Sequence, residues 1–88
     1  SLHEWFDIMI DTEIEQGNRI VKKDITDHSY TIEGNTKGGR CFYSKATHKK
    51  AYEREIIVTV KLKYTDSRRK EVEKLLPNIF KYVSTNEL

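Results

Sequence analysis

Two periodicities stand back to back between Ile56 and Val83, and they constrain the fold more than any other feature of the chain. Ile56, Val58, Val60, Leu62 and Tyr64 alternate with Ile57, Thr59, Lys61 and Lys63. A period of two, rich in β-branched residues, predicts a half-buried strand. From Arg68 to Val83 the apolar residues are Val72, Leu75, Leu76, Ile79, Phe80 and Val83. That spacing marks one face of an α-helix. Only Thr65–Ser67 separates the two, so the helix is expected to fold back onto the sheet that contains the strand. Asp66 or Ser67 is the expected N-cap. Pro77 removes a backbone donor and predicts a kink or break near Leu76.

The opening segment fits two templates. Read as a strand, Phe6, Ile8, Ile10, Thr12 and Ile14 face one side, with Asp7, Asp11, Glu13 and Glu15 on the other. Gln16-Gly17-Asn18 would then turn the chain into residues 19–26. Read as a helix, Leu2, Trp5, Phe6, Met9, Ile10 and Ile14 form the apolar stripe, Ser1 with Glu4 resembles a capping box, and Gly17 suits a C′ position. The strand, from about Phe6, leaves fewer exceptions and is the expectation, with a short N-terminal helix as the alternative. Further short strands are expected at 19–26, 29–34 and 40–46, with turn chemistry at 35–39. A loop or short irregular helix is expected over 47–53. The 88 residues suffice for one domain and too few for two. The expected class is therefore α+β: a small antiparallel sheet of four to five strands, packed by a C-terminal amphipathic helix, with 1–88 as a single domain.

Charge is distributed unevenly. Residues 1–34 carry three basic and eight acidic side chains, a net of −5; residues 35–54 carry six and one, a net of +5. The remainder carries seven and five, which brings the total to +2. No apolar run approaches the roughly 20 residues needed to span a bilayer. The N-terminus lacks the basic-then-apolar pattern of a secretory signal. A lone cysteine, Cys41, forms no internal disulfide and reads as a small buried hydrophobe. Either a signal has been removed or, as the lone cysteine favours, the protein is intracellular, cytoplasmic or nuclear, without a membrane partner.

The basic middle is the leading candidate site. Lys37, Arg40, Lys45, Lys49, Lys50 and Arg54 are interleaved with Phe42, Tyr43 and Tyr52. Cations neutralise phosphate and release counterions, while exposed aromatics stack on unpaired bases. Arg68, Arg69 and Lys70 at the start of the C-terminal helix add a second anion-attracting point beside free backbone N–H groups. A solvated turn and a solvated helix start are the plainer accounts of both. The acidic row Asp7, Asp11, Glu13 and Glu15 reads as a solvent face paired with Lys61 and Lys63 across the sheet. His3, His28 and His48 have no metal-ligand spacing. There is no phosphate loop, dinucleotide fingerprint or nucleophile elbow, and no cofactor is expected.

These residues favour a binding module over an enzyme. The first expectation is a nucleic-acid-binding domain that contacts DNA or RNA through Lys37, Arg40, Tyr43, Lys45, Lys49, Lys50, Tyr52, Arg68, Arg69 and Lys70. The alternative is a protein-interaction domain or assembly subunit, with a protein partner or self-association. A small metal-free nuclease or toxin using His28 or His48 with Glu33 or Glu55 and Arg40 is the third. The nucleic-acid expectation requires those cations to converge on one surface.

Overall fold

The opening segment is a helix, α1 (Leu2–Glu15), not the expected strand. Its ends explain why. Ser1 Oγ accepts the Glu4 N–H at 3.3 Å, which caps the first turn. At the other end the Gly17 N–H bonds the Ile14 carbonyl and the Asn18 N–H bonds the Glu13 carbonyl, both at 2.9 Å. That paired closure needs a left-handed residue, and Gly17 supplies it at φ +81°. Leu2 and Phe6 are buried, while Ile8 and Ile14, which support a strand reading, are exposed.

The computed structural model describes residues 1–85, without the side chains of Ala51 and residues 80–85. After α1 come β1 (Arg19–Ile25), β2 (Ser29–Asn35), β3 (Cys41–Ala51) and β4 (Arg54–Tyr64), then a 3₁₀ turn (Asp66–Arg68) and α2 (Arg69–Thr85). The four strands form one antiparallel sheet in the order β1-β2-β3-β4. The α+β class with a C-terminal helix is as expected. No helix among the described residues is long and apolar enough to cross a membrane.

The expected loop over 47–53 is instead the middle of a long hairpin. β3 runs to Ala51, and β4 begins at Arg54, directly opposite it. The polar run Thr47-His48-Lys49-Lys50 is strand because Ile56–Val58 lie across from it and supply the apolar partners. β2 pairs with β3 only as far as Thr47, so the far end of the β3–β4 hairpin projects past its neighbours as a two-stranded ribbon. Tyr52 turns the chain at φ +57° and is 90% exposed. A left-handed conformation costs a non-glycine residue roughly 1–2 kcal/mol.

One face of the sheet carries Tyr30, Ile32, Phe42 and Ala46, and Leu2 and Phe6 of α1 close over them as the core. The Phe6 and Tyr30 rings meet edge to face at 5.3 Å between centroids. Phe42, fully buried, belongs to this core and is not available to stack on a ligand. Burying a ring of that size contributes roughly 1.5–3 kcal/mol. Gly34 lies in the same layer, buried against Phe42 and the Arg19 carbonyl.

The second helix takes its start from the opposite face. Arg69 reaches Cys41, and Cys41 sits one register position outside the core row. Asp66 lies in the 3₁₀ turn, where its carboxylate meets Arg69 and Cys41. Thr65 occupies the cap position of that turn without a side-chain capping bond. α2 continues through Pro77 without a break. Among its described side chains Leu76 is the buried one, flanked by half-buried Val72 and Ile79. Phe80 and Val83, expected on the same stripe, lie outside the described side chains.

Candidate interaction surfaces

The strand register sorts β4 into two rows. Ile57, Thr59, Lys61 and Lys63 share the face covered by α1, and Ile56, Val58, Val60, Leu62 and Tyr64 share the other. Lys61 lies across the Phe42 ring at 5.0 Å and ends on the Glu13 carboxylate of α1. Glu13 is 2% exposed and also accepts a 2.7 Å hydrogen bond from Asn18 Nδ2. One member of the expected acidic row is therefore an internal ion pair that ties α1 to β4, while Asp7, Asp11 and Glu15 remain on the outer surface.

A groove of about 260 Å³ opens between β1, β2 and the start of α2. Arg19, Lys22 and Arg69 line it together with Glu33 and Glu73, so cations exceed carboxylates by one. Arg69 is already engaged: its Nη2 lies 2.9 Å from Asp66 Oδ1 and 3.2 Å from Cys41 Sγ. Cys41 is buried, as expected. Burial holds the Tyr64 hydroxyl above its usual pKa, with Cys41, Glu33 and Glu73 adding to the rise and Arg69 opposing it. Tyr43 is raised in the same direction, by burial first and then by Glu33 and Tyr64. Sequence reading did not include Arg19 and Lys22, because they sit in the net-acidic first third of the chain.

The ten residues expected to bind nucleic acid fall into two groups. Lys37 and Arg40 occupy the β2–β3 turn, and Arg68, Arg69 and Lys70 lie at the same end of the sheet, beside Cys41. Lys49, Lys50 and Tyr52 lie at the other end of β3, whose 11 residues extend about 35 Å. Tyr43 and Lys45 lie between them. Tyr43, Lys45 and Lys49 share the face opposite α1, and Lys50 points to the α1 side. Arg68 is held by Glu71 at 3.0 Å, and this contact lowers the Glu71 pKa. The fold thus joins the two basic segments at one end and places the rest of the basic stretch at the other.

His48 Nε2 lies 3.4 Å from Glu55 Oε2 at the base of the projecting ribbon. His3 and Asp27 border the same open cavity of about 500 Å³. His28 stands apart from it and contributes a backbone carbonyl to the His48 N–H at 2.8 Å. No group of three or more His, Cys, Asp or Glu among the described residues could hold a metal ion.

The two edges of the sheet differ sharply. β1 is irregular: its register shifts between Ile20 and Lys22, leaving Val21 as an extra, exposed residue, and Arg19, Lys22, Lys23 and Asp24 surround it. Bulges and charges are the usual protection of an edge strand. β4 has 11 regularly paired residues and a run of Ile56, Ile57, Val58, Thr59 and Val60. No strand lies on its outer side among the described residues. α1 packs mainly on β1 and β2 and reaches β4 through the Glu13–Lys61 pair on the sheet face, and α2 also contacts β4.

Burial raises the Tyr30, Tyr43 and Tyr64 hydroxyls together. A raised folded-state value favours the neutral hydroxyl. This contribution to stability is complete below a tyrosine's ordinary pKa of about 10 and is lost as pH rises through the folded values. Alkaline unfolding followed by circular dichroism should therefore begin above about pH 10. Tyr30→Phe should move that limb to higher pH. Among the described residues Thr59 is the one side chain that approaches the buried Tyr30 hydroxyl as a hydrogen-bond partner, and the contact is poor in geometry, so stability at neutral pH should change by no more than about 1 kcal/mol. An alkaline limb unmoved by Tyr30→Phe would contradict this.

Comparison with protein-family models, with curated proteins and with solved structures returns no match to the chain.

Proposed function

We propose that the chain is a protein-interaction domain whose docking element is the outer edge of β4. The observation that carries this reading is the contrast between the edges: a bulged, charged β1 and a long, regular, β-branched β4. An unpaired edge offers a row of backbone donors and acceptors to an incoming strand, and alternating side-chain positions supply selectivity. On β4 those positions are the half-buried Ile56, Val58, Val60 and Leu62 on one face and Thr59 and Lys63 on the other. Selection from a displayed peptide library tests the reading. Recovered peptides should alternate apolar and polar residues, protect β4 amides from hydrogen exchange, and lose binding to Val58→Lys and Val60→Lys variants. A library that yields no β4-protecting peptide overturns it.

A second reading, nucleic-acid binding, draws support from the projecting ribbon. A two-stranded ribbon fits the major groove of DNA, and Lys49, Lys50, Arg54 and the outward Tyr52 all lie near its end. Glu53 and Glu55 lie beside them and offset part of that charge. The cations at 37–40 and 68–70 lie at the other end of β3, which is why this reading stands second. Fluorescence anisotropy with a labelled duplex and a labelled single strand separates the two. Binding that weakens steeply with salt and is abolished by joint Lys49→Glu, Lys50→Glu and Arg54→Glu changes supports the nucleic-acid reading. Absence of binding at low salt removes it.

A further inference from the structure

Resting on the β4-edge reading, we infer that the strand docking on this edge is the β4 of a second copy, antiparallel about a two-fold axis at Thr59. The argument begins with parity. Side chains of a strand alternate between faces, and its backbone groups alternate between the two edges. A two-fold antiparallel pairing therefore places each residue opposite one of the same parity, and its axis must pass through a residue position. Full overlap of Arg54–Tyr64 with itself puts that axis at the midpoint, Thr59.

The side chains agree with this register. On the face away from α1, Ile56 meets Leu62 and Val58 meets Val60, each twice by symmetry, so the two apolar rows run into each other. On the α1 face Glu55 meets Lys63, again twice. Glu55 is 71% exposed. Lys63 is also exposed and lies one pleat beyond Lys61. Moving the axis to Val58 would instead offer Glu55 to Lys61, which already serves the buried Glu13. At the ends Arg54 comes opposite Tyr64. Full overlap gives five or six residue pairs that each exchange two backbone hydrogen bonds, about ten to twelve in all.

Sedimentation velocity of the full chain over a range of concentrations is the test. The expected result is a monomer–dimer equilibrium. Glu55→Lys and Lys63→Glu should each weaken it roughly tenfold, because each replaces two attractive cross-strand pairs with two repulsive ones. The double variant E55K/K63E should recover it, a result that general charge effects do not produce. Both positions are exposed, and circular dichroism of each variant checks that the fold is retained. Thr59→Cys should give a disulfide linking residue 59 to residue 59 on mild oxidation, mapped by mass spectrometry.

A strict monomer at millimolar concentration, or a dimer indifferent to all three charge variants, overturns the inference. If library peptides still protect β4 in that case, edge docking stands and only the self-pairing falls. If they do not, both readings fall together.

Discussion

Lys61→Met is expected to bring the domain to the margin of unfolding at room temperature. The substitution keeps the length and packing of the side chain over Phe42 but removes the charge that Glu13 needs. Glu13 is 2% exposed, and its remaining partner is Asn18. Breaking a buried pair from one side costs about 3–5 kcal/mol, because a charge is left without compensation. Lys61 retains 26% exposure, which favours the lower end of that range. The whole stability of a domain with one thin core is on the order of 5 kcal/mol. Urea unfolding should show the midpoint falling by more than half. Replacing both partners, Glu13→Leu with Lys61→Met, should recover most of the loss, since apolar groups of similar volume substitute for such pairs at little net cost. A single variant within about 1 kcal/mol of the parent would show that water reaches the carboxylate.

Gly34→Ala is expected to be at least as damaging, for a purely steric reason. A Cβ built on Gly34 overlaps the Arg19 carbonyl oxygen and lies 2.7 and 2.8 Å from two atoms of the Phe42 ring. Neither neighbour can yield: one is backbone of the adjoining strand, the other a fully buried ring. The penalty should exceed the roughly 1–3 kcal/mol typical of overpacking, because relief requires β1 to separate from β2. Gly38→Ala is the control. Its Cβ would find only Thr36 Oγ1, at 3.9 Å, and stability should change by about 0.5 kcal/mol or less. Thermal unfolding of the two variants side by side tests the contrast. Equal melting temperatures would show that β1 is not held in that register.

Elements with one clear period were legible in the chain. β4 and α2 are where their alternation and their helical stripe put them, and the first three strands lie within a residue or two of expectation apart from the far end of β3. Residues 1–16 were not legible, because two periods coexist there and long-range contacts decide between them. Ile8 and Ile14 satisfy a strand pattern yet are exposed on α1. Glu13, a carboxylate standing within the helical stripe, is buried, and its compensating charge comes from Lys61, 48 positions away. No local pattern contains that information. Residues 47–53 were obscured in the same way: a polar segment turned by Tyr52 and Glu53 lacks the usual Asn-Gly or Asp-Gly signal, and it is strand only because β4 lies alongside. Of the candidate site, the sequence showed which cations were present but not that β3 sets its two ends about 35 Å apart. The apolar run of β4 was visible, but its place at the rim of the sheet follows from strand order, which composition does not encode.

The extra residue at Val21 has a consequence for assembly size. A sheet that can be extended at both rims adds copy after copy and grows into a fibre. Here the β1 rim is bent and ringed with charge, so the proposed pairing would use the β4 rim alone. Once two copies meet through β4, neither has a growing end left, and association stops at a closed pair whatever the protein concentration.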